Sequence, residues 1–195
     1  MAAFLGNLRN VVIASFTLAI LLVGLYCTTQ GYDSLAFELF VLRFLHIVCG
    51  VMWIGLLWYF NFVQIPTMPK VPAELKGGVT GYIAPAALFW FRWAAVATVL
   101  LGLILVEIKH NGDAMRALSL DETKRTIGIG MWLGIVMALN VWLVIWPNQK
   151  RALGLVPADD ARKARSASVA MMASRTNLIL SLPMLYCMIT GAHVG

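Results

Sequence analysis

Long apolar runs separated by short polar connections limit what this sequence can fold into more than any other feature. The runs are Val11–Thr28, Phe40–Gln64, Pro85–Val106, Ile127–Trp146 and Thr176–His193, and they hold almost no Asp, Glu, Lys or Arg. At 1.5 Å of rise per residue, roughly 20 apolar residues cross a hydrocarbon core about 30 Å thick. The expectation is therefore an all-α integral membrane bundle of about five transmembrane helices, forming a single domain over residues 1–195. A water-soluble fold is excluded by composition. Hydrophobic residues make up 61% of the chain and charged ones 12%, with a mean hydropathy of +0.81, whereas a soluble domain carries roughly a quarter charged residues.

The first run follows Arg9 but has no small-residue cleavage site, so it reads as a retained helix rather than a signal peptide. The second is predicted to end at Ile65-Pro66 and the fourth at Pro147, because proline cannot continue the hydrogen-bond ladder. Gly130 and Gly134 form a GxxxG spacing that permits close helix contact. Lys150–Arg175 reads as an amphipathic surface stretch, and Pro183 should bend the fifth helix while neighbouring helices satisfy the freed carbonyl.

Orientation follows from the basic residues. Five crossings put Arg9, Lys70, Lys76 and the Lys150–Arg175 cluster on one side, and Arg43, Lys109, Arg116, Lys124 and Arg125 on the other. Excess Lys and Arg marks the cytoplasmic face. A bacterial inner-membrane protein with a cytoplasmic N-terminus and a periplasmic C-terminus is expected. The net charge of +6 fits loops near anionic lipid and gives no support for nucleic-acid binding. Cys27, Cys49 and Cys187 show no CxxC spacing and read as small buried hydrophobes.

Polar groups in hydrocarbon are costly and usually face the bundle interior. His46 falls roughly 9 Å from the midplane of the second helix, and His193 ends the fifth roughly 12 Å from its centre on the same side. Two imidazoles at one depth on different helices are what bis-histidine ligation of a b-type haem requires. Arg43 lies three residues before His46 on the same face, where a guanidinium can pair with a haem propionate. Trp53, seven residues after His46, can pack on a porphyrin edge, although plain core packing is the better reading. His110 reads as a solvated loop histidine. A second polar group comprises Arg92, Asn61, Gln64, Asn148, Arg175 and Asn177, all toward the opposite side. It reads as helix glue with snorkelling, as a substrate or quinone site, or as a propionate clamp for a differently oriented haem. No Walker A, GxSxG, HExxH or paired intramembrane carboxylates occur.

Several stretches resemble one family: His46-Ile-Val-Cys-Gly-Val-Met-Trp53 through Gln64-Ile-Pro66, Pro85 to Trp93, Gly128 to Gly134 with Asn140 to Lys150, and Ala173 to Asn177 with Ser181 to Met184 and His193. They are similar to the membrane part of the bacterial urate hydroxylases, the urate oxidase N-terminal domain. In that family a periplasmic c-type cytochrome domain often follows. The resemblance implies oxidation of urate with electrons leaving through that cytochrome. The sequence carries no CxxCH, so a cytochrome c partner is expected to be a separate chain. A weaker likeness links the histidine-bearing helix to HemJ-type protoporphyrinogen oxidases and CopD-like proteins.

Three readings follow from the residues and the resemblance. The first is a haem b electron carrier serving a periplasmic cytochrome c or a respiratory partner. The second is a cofactor-free subunit of a larger respiratory or oxidase complex. The third is a porphyrinogen oxidase. Catalytic residues are not assigned.

Overall fold

The computed structural model describes residues 2–109 and 114–193, with the side chains of Gln30, Lys109 and His193 also outside that description. Contacts group the chain into two compact units, Met1–Phe40 and Val41–Gly195. In the first, helix α1 spans Leu8–Gln30; the Asn7 side chain accepts from Arg9 N at 3.0 Å to cap it, and Gly31 (φ 85°) ends it. Only glycine adopts that backbone conformation cheaply. The helix is apolar on every side, the pattern of a lipid-facing span.

The second unit is built from α2 (Ser34–Trp58, which begins in the first unit), α3 (Ala84–Lys109), α4 (Arg125–Asn140) and α5 (Asp160–His193). Every regular element among the described residues is helical. Four stretches are long and apolar enough to cross a membrane: Leu8–Thr29, Ser34–Lys70, Ala73–Ile108 and Glu122–Ala152. This is a multi-pass membrane architecture. The expected fifth span, inside α5, is not among the four, because Thr176, Asn177, Ser181, Pro183 and Thr190 dilute its apolar character.

Pro66 and Pro147 do not end their helices as expected. Backbone continues through both, and each proline is preceded by a π-helical turn: Tyr59–Gln64 before Pro66 and Val141–Ile145 before Pro147. A third, Val79–Ile83, precedes Pro85. In all three the residue just before the proline donates five residues back: Ile65 N to Phe60 O, Ala84 N to Val79 O and Trp146 N to Val141 O. A proline ring in an α-helix collides with the carbonyl four residues earlier and leaves it without a donor. Widening by one residue moves that carbonyl aside and keeps the chain helical.

The Lys150–Arg175 stretch also differs from expectation. A turn at Gly154 (φ 72°) follows the helix Trp146–Ala152, and α5 then runs unbroken for 34 residues from Asp160. Ser166, Ala170 and Ser174 on it are buried, so this part packs on the bundle and is not a free surface helix.

Small residues bring α4 and α5 together. A Cβ on Gly130 would stand 3.1 Å from Cys187 Cβ, and one on Gly191 would stand 2.8 Å from Ile127 N. Gly134, the other half of the GxxxG, has nothing within 4 Å of such a Cβ. The close approach therefore uses Gly130 with Gly191, while Gly134 opens on a cavity. Deeper in the same seam, fully buried Asn177 donates to Met137 O at 3.0 Å and accepts from Asn140 Nδ2 at 2.7 Å; Asn140 also donates to Ala173 O at 2.9 Å. Asn177→Leu leaves the Met137 carbonyl without this donor and is expected to lower stability by about 1–2 kcal/mol, the range for interhelical polar contacts in membranes. A denaturant titration in detergent micelles checks it; an unshifted midpoint would show that the clasp contributes nothing net.

At the end of the unit where α4 begins, the short helix Ala114–Leu118 sits on α4. Trp132 Nε1 donates to Leu118 O at 2.8 Å, and Gly128 lies directly beneath the Ala117 carbonyl. Asp121 caps the turn Glu122–Lys124. Hydrogen bonds from the Thr123 hydroxyl and amide, followed by Arg116, hold the Asp121 carboxyl below the usual carboxylate range.

Candidate functional site

A cavity of about 600 Å³ opens among α2, α3, α4 and α5, within the size range of small-molecule and cofactor sites. Its walls are almost wholly apolar, and His46 is the imidazole in them. The ring is fixed from α3. His46 Nδ1 lies 2.9 Å from Thr98 O. A carbonyl oxygen can only accept, so Nδ1 carries a proton, and in the neutral ring the lone pair is then on Nε2. Thr98 is itself buried and ties its hydroxyl back to Ala94 O at 2.7 Å. One turn further along α3, Gly102 provides the seat for the ring. A Cβ there would stand 2.8 Å from His46 Cε1 and 3.1 Å from Nδ1.

The floor and opposite wall come from glycines and α5. Gly55 and Gly134 line the cavity, and a Cβ on either would meet nothing within 4 Å. Met184, Met188 and Ala192 line it from α5 at four-residue spacing, together with Leu185 and Ile189. Trp53, 1% exposed, forms part of the wall, and its buried Nε1 has no hydrogen-bond partner. Arg43, exposed and one turn before His46, stands at the edge.

Helices α2 and α5 run antiparallel. Asn61, in the π turn beyond α2, donates to Ser174 Oγ at 2.8 Å, and Trp58 donates to Ser181 Oγ at 3.4 Å. His46 lies twelve residues before Trp58, and residue 193 lies twelve after Ser181. Both are thus displaced about 18 Å in the same direction from one contact, which sets the two positions at one level. The side chain of His193 lies outside the described residues, as does His110.

The second polar group separates into parts. Asn177 pairs with Asn140 as described, and Asn148 turns back on Val144 O of its own helix at 2.8 Å. Arg175 is exposed. Asn61 donates to Leu57 O and Ser174 Oγ, while its Oδ1 and Gln64 Oε1 are buried without partners. The Arg92 guanidinium lies 3.7 Å from the centre of the Trp146 ring, with Phe89 at 5.7 Å, and its Nη1 is buried and unpaired. Stacking on tryptophan is a favourable way to hold a cation away from water.

Residues 119–194 match the family model described as urate oxidase N-terminal. The match covers 76 of the chain's 195 residues and stands as a likeness to that family. The family segment supplies the α4 and α5 walls of the cavity, including Gly134, Met184, Met188 and Ala192, whereas His46, Trp53, Thr98 and Gly102 lie before it. No curated protein and no solved structure is similar enough to match the chain.

Sequence reading alone missed Thr98, Gly102 and the two methionines. A signal for the first two does exist. Ala94, Thr98 and Gly102 recur every fourth residue along α3, and Gly102 is the one glycine in that helix.

Proposed function

We propose that the cavity holds a b-type haem ligated by His46 Nε2, with His193 as the second axial ligand, and that the protein carries electrons across part of the bilayer to a periplasmic cytochrome c or other respiratory partner. The observation that carries this reading is the His46 Nδ1–H bond to Thr98 O. Ligating histidines almost always donate their other ring N–H to a carbonyl or carboxylate, which fixes the tautomer and raises the basicity of the ligating nitrogen.

The residues present fit such a group. The cavity is apolar and large, Gly55 and Gly134 give it flat walls, and the shared level of positions 46 and 193 suits ligands on opposite faces of a macrocycle. Arg43 would pair with a propionate at the cavity edge, and the Trp53 ring would pack against the group's edge. When bound, the haem supplies reversible one-electron transfer. The chain's own part is to hold the ring nitrogen ready, exclude water with Ile, Leu, Val and Met side chains, and set the charge at the rim through Arg43.

The likeness of residues 119–194 to the urate oxidase N-terminal family supports taking this reading one step further, to urate as the electron donor. The C-terminal part of α5 then forms a fifth crossing in the inner membrane, its polar residues Ser174, Asn177 and Ser181 satisfied inside the bundle. Five crossings would put the termini on opposite sides, and the excess of Lys and Arg on the N-terminal side supports a cytoplasmic N-terminus and a periplasmic C-terminus.

The test is a dithionite-reduced minus oxidised visible spectrum of detergent-purified protein beside His46→Ala. A b-type α-band present in the wild type and lost in the variant is expected. No band in intact wild-type protein would turn the assignment to a cofactor-free subunit of a larger membrane complex. A band that persists at full height in His46→Ala would remove His46 as a ligand.

A further inference from the structure

Among the described residues, four buried side-chain polar atoms lack a hydrogen-bond partner: Trp53 Nε1, Asn61 Oδ1, Gln64 Oε1 and Arg92 Nη1. The first lines the cavity around His46. The other three fall in one layer of the bundle at the opposite end of α2. Asn61 is level with Ser174 through its hydrogen bond, Asn140 reaches Ala173 and Asn177 in the same turn of α5, and Trp142, half a turn past Asn140, donates to Arg92 O at 3.2 Å. Phe60 and Phe91, the residues before Asn61 and Arg92, meet edge-to-face with centroids 5.6 Å apart. Gln64 follows Asn61 by three residues, at the end of the same π turn. Single π turns inside helices recur at functional sites.

Orphaned polar atoms in native interiors are rare, and in hydrocarbon no bulk water relieves them. Here the unmet requirement has a definite composition of two carbonyl acceptors and one cationic donor. None of the ion pairs among the described residues includes Arg92. A complementary ligand must donate twice and accept once. It must also arrive through lipid, because the neighbouring Phe62, Val63, Trp90 and Trp93 are exposed apolar side chains within membrane-crossing stretches.

We propose that this layer is a second ligand site, separate from the His46 cavity, and that it takes the head group of a hydroquinone dissolved in the bilayer. The two phenolic hydroxyls donate to Asn61 Oδ1 and Gln64 Oε1, and one of the phenolic oxygens accepts from Arg92 Nη1. The oxidised quinone has acceptors only, so it satisfies Arg92 and leaves both amide oxygens unmet. The site therefore discriminates between redox forms, favouring the reduced one. This assignment stands on the orphaned atoms and not on the haem.

Isothermal titration of the full-length detergent-solubilised protein with a decyl-substituted benzohydroquinone, kept anaerobic, and separately with its quinone, tests the site. The hydroquinone should bind roughly tenfold or more tightly than the quinone, the factor expected for at least one hydrogen bond that only the reduced form can make. Gln64→Leu should weaken hydroquinone binding by a similar factor while the thermal midpoint holds or rises, because the substitution removes an unpaired buried oxygen. Arg92→Gln should weaken both redox forms. Equal affinity for the two forms, no binding to the wild type, or hydroquinone binding unchanged in Gln64→Leu would each overturn the proposal. So would titration with urate that shows binding with the same Gln64 and Arg92 sensitivity while the hydroquinone shows none, since the layer would then be an anion site.

Discussion

Gly102→Val should empty the His46 site of haem without unfolding the protein. The valine side chain begins where the imidazole now lies, 2.8 Å from Cε1 and 3.1 Å from Nδ1. What opposes it is a side chain that can rotate, so the backbone need not move. Rotation breaks the Nδ1–H bond to Thr98 O, frees the tautomer and swings Nε2 from its present direction. Loss of such outer contacts typically lowers affinity at a ligating histidine by about 10–100-fold. Haem per polypeptide, measured by the pyridine haemochrome assay, should fall to roughly a tenth of wild type or less, with the size-exclusion profile and thermal midpoint little changed. Full haem content with an unshifted α-band in Gly102→Val would mean that Thr98 and Gly102 do not hold the ligand.

A smaller change on α4 should do the opposite and damage stability while sparing chemistry. In Gly128→Ala the new methyl group falls on the Ala117 carbonyl, and what opposes it is backbone. The helix Ala114–Leu118 must lift, which takes with it the Trp132 Nε1 bond to Leu118 O. Overpacking against backbone costs about 1–3 kcal/mol, and the lost bond about 1 kcal/mol more. A fall of about 2–4 kcal/mol in a denaturant titration is expected on those terms. Gly134→Ala is the control on the same helix. Its methyl group meets nothing within 4 Å, and alanine favours a helix over glycine by roughly 0.5–1 kcal/mol. Its stability should hold or rise. Equal losses in the two variants would show that glycine content, and not the Ala117 contact, matters.

Much of the architecture is legible in the sequence because hydropathy reports burial in lipid directly. Four of the apolar runs fall in stretches long and apolar enough to cross a membrane, the fifth falls within α5, and His46 lines a cavity. What was not legible has two physical causes. Hydropathy is blind to backbone partners: the Thr98 carbonyl that fixes His46 has no side-chain signature, and nothing in a list of polar residues distinguishes Asn177, clasped to Asn140, from Gln64, left unpaired. Helix ends are also set by geometry that composition does not carry. A stop at Pro66 or Pro147 follows from the single-residue cost of proline, but a turn with one residue too many avoids that cost. The polar Lys150–Arg175 stretch reads as surface, yet Ser166, Ala170 and Ser174 give it a narrow face small enough to pack.

The three widened turns have a further consequence for reading this chain. Each stores one surplus residue, so side chains on either side of it are out of phase by about 100°. A helical wheel drawn continuously from Ser34 to Lys70 therefore mixes two different faces, and the stripe containing His46 does not extend to Gln64. Each such turn is also a joint: a single-residue deletion there would turn everything beyond it through that angle and bring the following proline back against the carbonyl four residues earlier.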